Sequence, residues 1–221
     1  MSKEVLPIAD YRSALYLDFE GEGQKRDKEK SLPLPHMAGL YCPKDTGRGG
    51  TYRCVFFKSN WKISSKVKTN ISVEDFESCF ISILKEISKT NKKLLFWSDH
   101  ERKILQCWLS NETFQALEPF LVNIKPATDK YINKKRLKPQ DRTLFESFKT
   151  LYPKRKPPES LEYGAAKTCR KIDKACEKHS TWGQFSSKEK QYVRDLLRYN
   201  ETDCKLSWLV AKKIGGYFNK S

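Results

Sequence analysis

Apolar positions recur along this 221-residue chain in two periods, and the changes between them divide it into elements. Over residues 14–20, Leu15, Leu17 and Phe19 alternate with Tyr16, Asp18 and Glu20, the two-residue period of a strand. His36 to Tyr41 and Tyr52 to Phe57 read as two further strands, joined by the turn-rich Pro43-Lys44-Asp45-Thr46-Gly47-Arg48-Gly49-Gly50. An antiparallel three-stranded start is the natural reading. Residues 1–13 read as a lead-in, and residues 22–35 as an exposed loop or hairpin tip. The period then changes. Phe76, Phe80, Ile83, Leu84 and Ile87 form one stripe, which predicts a helix over Val73–Ser88 with Ser72 as its N-cap. Lys93 to Trp97 reads as a short buried strand, so a crossover gives the sheet a parallel neighbour. Ser98 caps a helix predicted to reach about Leu109, and residues 112–124 read as another.

The second half is more polar. Lys125 to Arg142 is basic and irregular, Arg142 to Leu151 looks helical, and Tyr152 to Pro158 breaks that helix. Leu161 to Lys178 is helical again. Ser186 or Ser187 caps the last long helix, predicted to stop at about Ile214 before Gly215-Gly216. Along it Tyr192, Leu196, Tyr199, Asp203, Leu206 and Val210 fall on one helical stripe. There is no internal repeat. The expectation is one α/β domain spanning residues 1–221, with its core at about 14–214 and a basic, partly helical insertion at 125–180.

Composition adds three constraints. The content of 12 Phe, 10 Tyr and 5 Trp suits a folded core of this length. No apolar run approaches the ~20 residues of a membrane helix, and the N-terminus lacks the apolar segment of a secretory signal, so cytoplasmic residence without a membrane partner is expected. The seven cysteines contain no CxxC, which favours reduced core thiols over disulfides. Cys169, Cys176 and His179 lie close in sequence but lack a fourth zinc ligand. Gly47-x-Gly49-Gly50 lacks the strand-to-helix context of a phosphate loop.

The net charge of +16 is uneven. Residues 1–120 hold 19 Lys+Arg against 16 Asp+Glu, whereas residues 121–221 hold 24 against 11. Such asymmetry points to a polyanion, most simply nucleic acid. Lys134, Lys135, Arg136, Lys138 and Arg142 cluster near Tyr131, and Lys167, Arg170 and Lys171 lie on the helix at 161–178. Interleaved cations and aromatics suit a strand-binding groove. A solvated basic face is the alternative.

Candidate chemistry begins at Asp18 and Glu20. Side chains two apart on a strand share a face, and two carboxylates so close repel unless a cation lies between them. On the strand alone, a wet strand face is the simpler explanation of the pair. Asp203, however, sits on a core-facing stripe, where a carboxylate pays desolvation unless paired or bound to metal.

A strand bearing Asp-x-Glu, an acidic pair after a later strand, and a C-terminal helix bearing Tyr-x-x-x-Asp together resemble the DEDD exonuclease group of the ribonuclease H-like superfamily. Tyr199-Asn200-Glu201-Thr202-Asp203 is similar to the tyrosine variant of its third motif, and Tyr-Asn-x-x-Asp-Cys resembles the YprB-like predicted exonuclease domains associated with RecB-type nucleases and helicases. Leu17-Asp18-Phe19-Glu20-Gly21 resembles their opening strand. The resemblance runs from about residue 14 to 214 and is weak in the middle. The second motif departs from the usual Phe-Asp; Glu101 stands there, with Asp99 as the competing candidate. The resemblance implies a ribonuclease H-like mixed sheet and 3′–5′ hydrolysis of DNA or RNA with two Mg²⁺ or Mn²⁺ ions. Asp18, Glu20 and Asp203 would hold the first ion, Asp18 and Glu101 the second, and Tyr199 would orient the attacking water. A nucleic-acid-binding module of the same fold, working within a larger complex with a helicase or nuclease partner, is the rival reading.

Overall fold

A six-stranded mixed sheet separates two layers of helices. The computed structural model describes residues 11, 13–23, 32–44, 46, 48–156 and 164–218, with no side-chain description from residue 216 onward. The strands are β1 (Leu15–Glu20), β2 (Met37–Pro43), β3 (Gly50–Phe56), β4 (Ile71–Val73), β5 (Leu94–Phe96) and β6 (Leu121–Asn123), in the order β4-β3-β2-β1-β5-β6. β2 runs antiparallel to β1 and β3, and the other neighbours pair in parallel. The α/β expectation of antiparallel strands followed by parallel ones, flanked by helices, is therefore met.

Among the described residues the helical elements include α1 (Phe76–Thr90), α2 (Asp99–Trp108), α3 (Asn111–Leu117), α4 (Lys125–Lys134), α5 (Leu144–Leu151), α6 (Ala165–Lys178) and α7 (Ser187–Phe218). Leu15, Leu17 and Phe19 of β1 face a core built with Phe76, Phe80 and Ile83 of α1 and Ile104 and Leu105 of α2. Tyr16 faces the opposite core, closed by Trp61 of a 3-10 segment (Ser59–Val67), by α6 and by α7. A third cluster joins Ile132, Phe148 and Leu151 to Leu206, Val210 and Ile214, fastening α4 and α5 to the C-terminal half of α7.

Four boundaries differ from the sequence reading. Ser72 lies in β4, and Asp75 caps α1 by accepting from the Ser78 amide at 2.9 Å. The helix expected over 112–124 ends at Leu117; Pro119 cannot donate to the helical ladder, and Leu121–Asn123 joins the sheet beside β5. The basic stretch after Lys125 is helical. Pro126 suits its first turn, and buried Ile124, Thr128 and Ile132 recur every four residues beneath the charge. Gly215-Gly216 does not end α7, which continues to Phe218. A Cβ on Gly215 would lie 2.5 Å from Cδ2 of Tyr11, so this glycine admits an aromatic ring rather than terminating a helix.

The expected loop tip at 24–31, most of the lead-in, and the helix start at 161–163 lie outside the described residues. All seven cysteines are free, five of them buried. Among the described residues no helix is long and apolar enough to cross a membrane.

Candidate metal centre

Alternation places Asp18 and Glu20 on the Tyr16 face of β1, which α7 covers. One carboxylate oxygen from each of Asp18, Glu20 and Asp203 lies within 4.8 Å of the other two. Tyr199, one turn before Asp203, hydrogen-bonds its carboxylate.

The electrostatics of this trio are unfavourable on their own. Burial, then the charges of Glu20, Asp203 and Glu101, push the Asp18 carboxyl well above the usual range. Burial and the Asp203 charge push Glu20 up to about 8. Burial raises Asp203 to about 6 against the opposing hydrogen bond from Tyr199. Among the described residues, no salt bridge reaches Asp18, Glu20 or Asp203. Three hard oxygen donors that no cation of the described residues pairs with could hold a divalent metal ion.

Glu101 is a fourth carboxylate, near enough for its charge to act on the trio. It is buried in the first turn of α2, where the Ser98 amide and hydroxyl donate to its Oε2 at 3.1 and 2.8 Å in a capping box. Its charge reaches Asp18 and Glu20, but it is outside the three-carboxylate group. Asp99 is exposed and accepts from Asn123 Nδ2 at 2.8 Å, tying α2 to β6. Of the two second-motif candidates, Glu101 is thus the one coupled to the centre.

The sequence reading gave no role to the residue that joins these parts. Asn200 is wholly buried between Tyr199 and Asp203. Its Nδ2 donates to Asp18 Oδ2 at 2.7 Å and to the Asp18 carbonyl at 3.2 Å, while its Oδ1 accepts from the Tyr52 hydroxyl at 2.8 Å. Gly39 of β2, register partner of Asp18, leaves room for that amide. A glycine inside an apolar strand was a visible sign of such a close approach.

A cleft of about 220 Å³ opens beside Glu20, between Leu34, His100, Ile104 and Ala165. Next to it lies a second polar group, Glu22, His36 and Asp173. Lys58 Nζ already sits 2.9 Å from Asp173 Oδ2 and 3.7 Å from Glu22 Oε1, and Trp61 Nε1 donates to Asp173 Oδ1 at 2.8 Å. The ammonium supplies the positive charge a metal would bring. This group clamps α6 and the 3-10 segment to the end of β1. Cys169, Cys176 and His179 do not converge on one another: Cys176 meets Ser64, and His179 faces Glu189.

The eight basic candidates fall on two separate stretches. Lys134, Lys135 and Arg136 are exposed at the end of α4, with Lys138 exposed just beyond. Arg142 is engaged internally, donating to Asn133 Oδ1 at 2.8 Å and lying 3.4 Å from Asp129 Oδ1. On α6, Lys167 and Arg170 are exposed, and Arg170 reaches the Glu22 carbonyl at 3.4 Å, which puts this helix beside the Glu20 end of β1. Lys171 Nζ lies 4.4 Å from the centroid of the Tyr192 ring. Comparisons with protein-family models, with curated proteins and with solved structures find no match, so the centre is read from its own geometry.

Proposed function

We propose that this protein is a metal-dependent nuclease of the ribonuclease H-like, DEDD type, hydrolysing phosphodiester bonds from the 3′ end of a DNA or RNA strand. The convergence of Asp18, Glu20 and Asp203, which no salt bridge among the described residues reaches, carries the reading. The order β3-β2-β1-β5-β6 with β2 reversed supports a ribonuclease H-like sheet, to which β4 adds an edge strand.

Asp18, Glu20 and Asp203, with Glu101 nearby, would hold Mg²⁺ or Mn²⁺, which would supply an activated water and neutralise charge at the leaving oxygen. Tyr199 is pushed up by burial and by the neighbouring acids, so its hydroxyl keeps its proton at neutral pH. It acts by orienting a water, not by taking a proton. The cleft beside Glu20 seats the end of the strand, and the exposed cations of α6 at its rim meet phosphates.

The test is hydrolysis of end-labelled single-stranded DNA and RNA by the full chain. A ladder from the 3′ end that requires Mn²⁺ or Mg²⁺ and stops with chelator is the expected result. No cleavage, with salt-sensitive binding retained, makes the protein a binding module of a larger complex. The same substrates test the α4 cations. Lys134→Ala with Lys135→Ala should flatten the slope of log affinity against log salt by roughly 1–2. An unchanged slope assigns those lysines to a solvated face.

A further inference from the structure

We infer that Tyr52 and Asn200 form a positioning relay that holds the Asp18 carboxylate ready for a divalent cation, so that a phenol in the hydrophobic core tunes metal affinity. The inference rests on the reading of Asp18, Glu20 and Asp203 as a metal centre.

With a cation bound, the Asp18 carboxylate is ionised and only accepts hydrogen bonds, so the amide beside it must turn its nitrogen toward it. That leaves Asn200 Oδ1 facing Tyr52, whose hydroxyl has to donate. Asn200 Nδ2 then donates to Asp18 at both the side chain and the main chain, and the same amide also hydrogen-bonds Glu20. The carboxylate and its strand are therefore fixed by the same amide. Tyr52 is buried and Asn200 wholly so, and no water need compete for these bonds. Without the Tyr52 hydroxyl the amide loses the partner that sets its rotation, and Asp18 Oδ2 loses a fixed donor. Partners that orient a metal-binding carboxylate in this way typically matter about 10–100-fold in affinity.

Titration of the metal-free full chain with Mn²⁺ by calorimetry tests the relay, with thermal denaturation run in parallel. Asn200→Ala is expected to weaken Mn²⁺ binding by about 10–100-fold, and Tyr52→Phe by roughly 3–10-fold. Because Tyr52 acts through Asn200, the double variant should bind like Asn200→Ala alone. Asp203→Asn, which removes a ligand, marks the signal as arising at this centre. A purely structural role would lower the melting temperature and leave the Mn²⁺ affinity of the folded protein unchanged; that result overturns the relay and spares the metal centre. Should Asn200→Ala fail to fold, Tyr52→Phe decides alone, since it deletes one oxygen and keeps the ring. Absence of Mn²⁺ binding by the unmodified chain overturns relay and centre together.

Discussion

Asp203→Asn is expected to remove metal-dependent hydrolysis by about 1,000-fold or more, since bound metal contributes several kcal/mol to such a transition state. The same change should stabilise the metal-free protein at pH 8. Carboxyls in an unfolded chain titrate near ~4, whereas in the fold Glu20 is pushed up to about 8 and Asp203 to about 6. The native state therefore holds its protons longer than the unfolded state does. Stability is greatest below the unfolded values and falls as pH rises through about 6, where Asp203 ionises, and about 8, where Glu20 does. Asn at 203 removes one of the repelling charges and can still accept from Tyr199. The gain at pH 8 should be about 1–3 kcal/mol, or a few degrees in melting temperature for a chain of this size. Calorimetric melts of both proteins at pH 5 and pH 8, with chelator and with Mn²⁺, check this. In the unmodified protein Mn²⁺ should recover the stability lost between pH 5 and pH 8; in Asp203→Asn it should recover little. A variant less stable than the parent at pH 8 would mean that Asp203 is satisfied without a cation.

The acid pair and its partner were legible because period and spacing carry them: the two-residue alternation of β1, and a helical stripe bearing Asp203. That stripe was placed slightly off its true centre. Tyr199 and Asp203 are half-buried at the rim, while Leu197, Asn200, Cys204 and Ala211 form the buried line. Asparagine is a weak hydrophobic signal, so its burial could not be inferred from pattern alone. The Lys58–Asp173 clamp was illegible for a different reason. Its members lie more than a hundred residues apart, and only tertiary packing brings a lysine from before the 3-10 segment to an aspartate on α6. The helix at Lys125–Lys134 was obscured by its charge, although Ile124, Thr128 and Ile132 kept the helical repeat. Gly215 misled in the opposite sense. A glycine pair ordinarily ends a helix, but this one serves contact with Tyr11.

Gly39→Ala should be among the costliest single-methyl additions in the sheet. The new Cβ would fall 1.6 Å from Asn200 Oδ1, 2.7 Å from its Cγ and 2.9 Å from Cε2 of Tyr52. Both residues are buried, so neither can swing into solvent. Either α7 lifts from β1 and β2, or the Asn200 amide rotates out of its bonds to Tyr52 and Asp18. The first breaks a packed layer and the second strands buried polar groups. By either route, overpacking or an orphaned buried donor or acceptor, the cost is about 1–3 kcal/mol, or several degrees in melting temperature. Gly49→Ala is the contrast: its φ of +70° strains alanine, yet nothing lies within 4 Å of an added Cβ, and the cost should stay near ~1 kcal/mol. Gly39→Ala combined with Asn200→Ala should recover part of the loss, because the clash lies between those two side chains. Denaturant unfolding of the three variants and the double measures it. A cost under ~1 kcal/mol for Gly39→Ala, with Mn²⁺ affinity intact, would mean that Asn200 does not lie across Gly39 to reach Asp18. The same packing that excludes a methyl group from β2 is what brings an amide of α7 onto the first carboxylate of the centre.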